Sequence, residues 1–327
     1  MSKVLVTGGA GYIGSHAVLA LRDAGREVVV LDDLSTGFRE AVPADIAFYQ
    51  GDIADRSFVH DVLTREQISA VMHFAGSMSV PESVAQPGKY YLNNTCGTLS
   101  LAETCIAAGI AHFIFSSSSS VYGEAKICPC PEDLPPAPVS PYAASKWMSE
   151  VMLQDLGVAH PSFRSVRLRY FNVAGADPLG RAGQRNPEAA GLVKLAVETA
   201  LGRRQVLEVF GDDYATRDGT CERDYIHITD LASAHLAALN YLEAGSPSTT
   251  LNLGYGKGYT VLEVIAALET VLGRKLETRR AARRPGDPAR YFSDVTRLRA
   301  TLDWSPQHED LHEILRSALS WAGALPA

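Results

Sequence analysis

The sequence predicts a doubly wound parallel α/β sheet followed by a smaller mixed α/β part, and three observations carry that reading. Short β-branched runs alternate with helical patterns through the first half of the chain. Those runs are almost continuously apolar, as strands covered on both faces must be. A glycine-spaced turn (Gly8, Gly11, Gly14) joins the first run to the first helical segment.

The strands are read from "KVLVTGG" (3–9), "EVVVLDD" (27–33), "IAFYQGD" (46–52), "AVMHFAG" (70–76), "HFIFSS" (112–117) and "SVRLRYFN" (165–172). Segments 12–25 and 89–108 read as helices, with Gly25 and Gly109 as their stops. This alternation implies one sheet domain over residues 1–172. The Gly/Pro-rich stretch "GADPLGRAGQRNPE" (175–188) then marks a boundary, so residues 173–327 form the second domain. A return of the chain to the first domain around 224–255 stays open. Further on, Asp230 is expected to cap a helix reaching about Glu243, with Gly245 beyond its end. Thr260 and Glu263 have capping-box spacing, and Gly273 ends the helix they start. No internal repeat is present.

Composition narrows the function. A chain of 327 residues exceeds what one core usually serves. Hydrophobic residues at 46% exclude disorder, and a net charge of −7 argues against a nucleic-acid partner. The scattered cysteines (Cys96, Cys105, Cys128, Cys130, Cys221) suggest reduced thiols in a cytoplasm. No apolar run reaches the ~18 residues a membrane span needs. The chain enters its first strand directly, leaving no room for a signal peptide, so a soluble cytoplasmic protein is expected. The basic stretch 279–299 is interrupted by Pro, Gly and Asp and reads as a solvated face holding one or two phosphate-binding arginines. His308 and His312 lack a nearby Cys/His set, and Cys128 and Cys130 lack redox or metal spacing; no metal site is expected.

Two motifs carry chemistry. The glycine turn lets a pyrophosphate approach the N-terminus of the helix that follows. The second run ends in Asp32, 18 residues after Gly14, where a carboxylate accepts ribose hydroxyls and repels a 2′-phosphate; NAD is favoured over NADP. In "SPYAASK", Ser140 and Pro141 start a helix that puts Tyr142 and Lys146, four apart, on one face. A phenol is a poor base at neutral pH, and an ammonium beside it would lower its pKa.

With these motifs, "GDI" (51–53), "YYLNNTCGT" (90–98), "SSSSSVYG" (116–123), "RYFN" (169–172) and "RDYIH" (223–227) stand in an order that resembles the extended short-chain dehydrogenase/reductase family over nearly the whole chain. Within it the likeness is to the branch that epimerises nucleotide sugars. The resemblance implies a Rossmann domain, NAD, a UDP-sugar partner and interconversion of UDP-galactose and UDP-glucose through a 4-keto intermediate. It implies Ser118, Tyr142 and Lys146 as catalytic residues, and places the serine run beside the cofactor as a wall of small side chains. Strand alternation would send Ser116, Ser118 and Ser120 to one face and Ser117 and Ser119 to the other. Cofactor contacts are implied for Gly8, Gly11, Tyr12, Ile13, Gly14, Asp32, Asp33, Asp52, Ile53, Phe74, Ala75, Asn93, Tyr142, Lys146 and Tyr170. Substrate contacts are implied for Ser118, Tyr142, Asn172, Arg223, Arg284, Asp287 and Tyr291, the arginines suiting a diphosphate and Tyr291 forming the pocket floor. Met78 stands where many relatives carry a cofactor-contacting lysine, and residues 186–194 do not match their uridine segment. No Asp–Glu pair of the dehydratase branch occurs in the serine stretch. A homodimer through helices near 89–108 and 141–155 is a family-level expectation. Other nucleotide sugars (UDP-pentose, UDP-uronate, UDP-N-acetylhexosamine) and a non-catalytic dinucleotide sensor are the alternatives.

Overall fold

The computed structural model describes residues 3–284 and 286–325. Strands β1 (Val4–Thr7), β2 (Val28–Asp32), β3 (Ala47–Gln50), β4 (Ala70–His73), β5 (His112–Ser118) and β6 (Arg164–Tyr170) occupy the six expected runs. Helices α1 (Tyr12–Asp23), α2 (Arg56–Arg65), α3 (Val80–Ala85), α4 (Pro87–Tyr90), α5 (Gly97–Ala107) and α6 (Pro141–Ala159) connect them. The helix expected over 89–108 is broken by one π-helical turn at Tyr91–Cys96. The rest of the chain supplies β7 (Asn172–Ala174), α7 (Leu192–Ala200), β8 (Leu207–Phe210), β9 (Glu222–His227), α8 (Ile228–Glu243), β10 (Thr249–Leu253), β11 (Gly258–Thr260), α9 (Val261–Leu272), β12 (Thr278–Ala281), β13 (Arg290–Tyr291), α10 (Thr296–Thr301) and α11 (Leu311–Ala324).

The main sheet is parallel throughout, in the order β10-β6-β5-β4-β1-β2-β3. Side chains alternate along each strand, so Val4 and Val6 join Val18 and Leu21 of α1 on one face. Leu5 turns the other way, to Val59 and Leu63 of α2 and Leu101 of α5. The chain does return: β10 pairs with β6, Leu251 opposite Leu168. The order reverses between β1 and β4, and ligands bind such sheets at that crevice. A small second sheet, β11-β9-β13 with β7 also on β9, and the β8–β12 pair sit in the second half.

Local chemistry explains most element ends. The Ser140 side chain accepts from Ala143 N at the start of α6. Thr260 and Glu263 form the capping box, and Gly273 ends α9 in the left-handed conformation. Asp230 is a correction. His227 caps α8, while the Asp230 carboxylate, one turn inside, accepts from the Tyr255 hydroxyl at 2.6 Å and from the His308 amide at 2.9 Å. Donors from two loops compete for it, so it serves tertiary packing instead of the helix end. The basic stretch is mostly neutralised by ion pairs, such as Arg279 with Glu208 and Arg297 with Asp133. Cys130 is buried and its backbone pairs with Phe292 and Asp294, as a structural loop would. Among the described residues no cluster could hold a metal ion, and no helix is long and apolar enough to cross a membrane.

Candidate active site

The crevice between β1 and β4 is built on two glycines. A Cβ at Gly8 would lie 2.5 Å from Ala75 N, and one at Gly14 would lie 2.1 Å from Gly8 O, so any larger residue separates turn, helix and neighbouring strand. A Cβ at Gly11 would lie 3.3 Å from Gly8 O, a tight contact, so here too the backbone before the first turn of α1 stays bare for a phosphate to approach. Asp32 is buried, and its carboxylate accepts from Ala10 N at 2.9 Å and Leu34 N at 2.8 Å. Burial pushes this carboxyl up and the two amides pull it back. It therefore shapes the loop as well as facing the crevice. The cradle fits a dinucleotide.

The other expected cofactor residues are gathered around this crevice with different commitments. Tyr12 donates its hydroxyl to Gly175 O at 2.7 Å, so its backbone amide, not its side chain, is free for a ligand. Ile13 packs against the core. Asp33 accepts from Ser35 N, and Asp52, exposed, from Ala54 N. Ile53 is buried and lies under Gly97. Asn93 donates to Ser77 Oγ at 2.9 Å, while its neighbour Asn94 ties Ser77 to Ser145 of α6. Phe74 and Tyr170 both meet His235 of α8, whose Nε2 takes the Tyr170 hydroxyl at 2.6 Å.

Each serine of the run has its own task. Ser116 O accepts from the Lys146 ammonium at 2.8 Å. Ser117 Oγ donates to buried Glu150. Ser118 Oγ accepts from Ser120 N at 3.2 Å and from Ser120 Oγ at 2.9 Å, and stands near enough to the Tyr142 phenol to hold its pKa down against burial. Ser119 O accepts from the Tyr291 hydroxyl. The expected alternation holds only to Ser118, because the chain turns into a 3₁₀ helix at Ser119–Tyr122 that Ser118 caps.

Tyr142 and Lys146 share a face of α6, with the Lys146 ammonium 5.0 Å over the Phe115 ring. Burial lowers Lys146 to about 8. The phenol departs from expectation: burial pushes it above its ordinary value, and Ser118, not the lysine, pulls it back. The ammonium is turned to a backbone carbonyl, so phenolate formation needs charge from outside these two side chains.

On the second-half side, Asn172 Nδ2 donates to Asp224 O at 3.1 Å. Arg223 stands opposite Tyr291 in the β9–β13 register, pairs with Asp287 at 3.3 Å and donates to Pro288 O. Arg284 is exposed and stacks on Phe210 at 3.9 Å. The Tyr291 ring lies 5.3 Å from Phe171 and closes against the serine turn.

Sequence reading missed the support beneath this surface. Arg169 of β6 grips Glu150 of α6 through Nε at 2.9 Å and Nη2 at 2.6 Å, and donates to Tyr122, which reaches Asn252 of β10 at 2.6 Å. The available signal was Glu150 four residues beyond Lys146, on the same helix face, and an arginine inside an apolar strand.

A Rossmann-type sheet with a glycine crevice and a buried carboxylate at the end of β2 defines a dinucleotide-dependent α/β protein. Residues 4–254 match the model of the NAD dependent epimerase/dehydratase family, and the chain belongs to that family. It is similar to the UDP-glucose 4-epimerase of Azospirillum brasilense, 52% identical over 99% of this chain and 92% of that one. A crystal structure of UDP-glucose-4-epimerase from Stenotrophomonas maltophila, with bound NAD and formylated UDP-arabinopyranose, superposes with a TM-score of 0.96 at 38% identity, covering 99% of this chain and 98% of that one. The UDP-Glc/GlcNAc 4-epimerase of Campylobacter jejuni gives a TM-score of 0.88 at 44% identity, covering 99% and 100%.

Proposed function

We propose that this protein is an NAD-dependent 4-epimerase that interconverts UDP-galactose and UDP-glucose. The single observation carrying the mechanism is the gathering of Ser118, the Tyr142 phenol and buried Lys146, the last held by Ser116 O at 2.8 Å, where β5 meets α6. The chemistry NAD supplies when bound is reversible hydride exchange with sugar C4. Tyr142 takes the proton of the sugar 4-hydroxyl and returns it after the 4-keto sugar has turned over. Ser118, having accepted twice from Ser120, donates its proton toward that oxygen. Lys146 would anchor the cofactor's nicotinamide ribose, its ammonium already held in place by Ser116 O. Because burial opposes the phenolate, Tyr142 holds its proton in the chain alone, and the positive charge of a bound oxidised nicotinamide would favour its release. Arg223 and Arg284 hold the diphosphate while the sugar rotates, and Asn172 and Asp287 contact other parts of the UDP-sugar. Gly8, Gly11, Gly14 and the amides of Tyr12 and Ile13 hold the pyrophosphate; Asp32 and Asp33 take the adenosine ribose, and Asp52, Ile53, Phe74, Ala75, Asn93 and Tyr170 line the rest.

The division into a cofactor part (1–172, joined by β10) and a UDP-sugar part is adopted in this reading. Exposed Leu92, Met148 and Val151 lie on the two helical segments expected to pair two copies, which supports a homodimer. Free, scattered cysteines support a cytoplasmic location. The test is incubation of purified protein with a panel of UDP-sugars and no added cofactor. Conversion of UDP-galactose to UDP-glucose is expected; NAD binding without turnover of any UDP-sugar would mean a sensor.

A further inference from the structure

One cation beside the glycine turn has no anionic partner among the described residues. Arg185, in the loop that leads into the second half, lines a small recess with Gly11, Tyr12 and Ser15 of the turn and α1, and with Thr36 and Phe38 after β2. The loop is held in place. Trp321 of α11 donates to Gln184 O at 3.1 Å, and a Cβ at Gly183 would lie 2.4 Å from the indole. The Arg185 guanidinium lies over the same indole at 5.2 Å, with its Nε buried and without a hydrogen-bond partner. Other arginines nearby are engaged: Arg181 on Asp23 and Asp177, Arg39 on Val42 O and the Phe48 ring. A clamped guanidinium with an unused donor, next to the free first-turn amides of α1, is complementary to a phosphate that those amides also bind. Met78, where the resemblance expects a cofactor-contacting lysine, is apolar and brings no charge to the task.

We propose that Arg185 is a further cofactor-binding residue, a cation carried by the second half of the chain that pairs with the phosphates of NAD on the glycine turn. The proposal rests on the NAD-dependent reading above. Its consequence is that cofactor binding ties the 183–186 loop and α11 to the sheet domain. A dinucleotide that must survive every catalytic cycle is thereby retained by both parts of the molecule.

Calorimetric titration of NAD-stripped protein with NAD, ADP and adenosine tests this. Arg185→Met keeps the apolar stem on Trp321, and about tenfold or greater weakening is expected for NAD and ADP, the scale of one charged hydrogen bond. Adenosine, which has no phosphate, should change less than about twofold. Arg185→Lys, a point charge without the fork, should fall between parent and Met for the phosphorylated ligands. Unchanged NAD and ADP affinity in both variants, or an equal loss for adenosine, overturns the proposal. A parent that binds none of the three ligands overturns the dinucleotide reading itself, and the two failures are thus distinguishable.

Discussion

Glu150→Gln changes one atom of the site's foundation and should be severely destabilising. Glu150 and Arg169 are side chains only 3% and 5% exposed, joined bidentately between α6 and β6. Glutamine keeps the shape but removes the charge, leaving a buried guanidinium without its counter-ion. Breaking one side of such a pair costs about 3–5 kcal/mol. For 327 residues, an unfolding entropy of about 2.1 cal/mol/K per residue makes about 0.7 kcal/mol/K, so the melting midpoint should fall by about 4–7 °C. Scanning calorimetry at neutral pH measures it. The double variant Glu150→Leu/Arg169→Met removes both charges and should recover more than half of the loss, because two apolar groups leave no unpaired ion. A midpoint for Glu150→Gln within about 1 °C of the parent, or a double variant as damaged as the single, would refute this account of the pair.

Four further outcomes follow from the site. Tyr142→Phe should cut turnover by at least ~10²-fold with NAD affinity retained, and should abolish the rise in rate with pH expected of a phenol that burial pushes up; a variant with parental turnover would remove Tyr142 as the base. Lys146, whose ordinary value of 10.5 falls to about 8 in the fold, is charged at a cost below pH 8, whereas between pH 8 and 10.5 only the unfolded chain holds the proton. Cofactor-free Lys146→Met should thus be more stable than the parent at pH 7 by up to ~3 kcal/mol, an advantage that shrinks toward pH 10; melting curves showing no such convergence would contradict it. Asp32 should keep NADP at least ~10-fold weaker than NAD in direct titration, since a 2′-phosphate meets a buried carboxylate; equal affinities would remove it from that role. Tyr291→Ser, by removing a ring packed on Phe171 and the serine turn, should gain activity on UDP-N-acetylglucosamine, which the parent should turn over at least ~10-fold less efficiently than UDP-glucose. Comparison of kcat/KM on both sugars decides whether Tyr291 gates the pocket.

Local signals were legible wherever neighbouring residues alone set the structure. Ser140 and Pro141 begin α6, and Thr260 with Glu263 begins α9, because each cap satisfies amides within one turn. Asp230 was misread for the opposite reason: its oxygens answer donors from Tyr255, Gln307 and His308, and no local rule sees a partner 78 residues away. The serine run shows the same divide. The family resemblance implied a wall of small side chains, but the turn at Ser119 redirected the alternation, so that Ser116, Ser117 and Ser119 reach Lys146, Glu150 and Tyr291 while Ser118 and Ser120 bond each other.

By itself the sequence determined the parallel sheet, the glycine crevice, the carboxylate at the end of β2 and the pairing of Tyr142 with Lys146 on one helix face. All of these depend on periodicity or on spacings of a few residues, which covalent geometry enforces. Only the tertiary structure decided that β10 joins the sheet, that Lys146 faces a backbone carbonyl while Ser118 lowers the phenol that burial raises, and that Arg169 and Glu150 fasten the wall to the helix. Only there does Arg185 reach the glycine turn, more than 170 residues back along the chain. Those arrangements depend on which distant groups meet in a low-dielectric interior, where each buried charge or donor must find a partner that chain order does not supply.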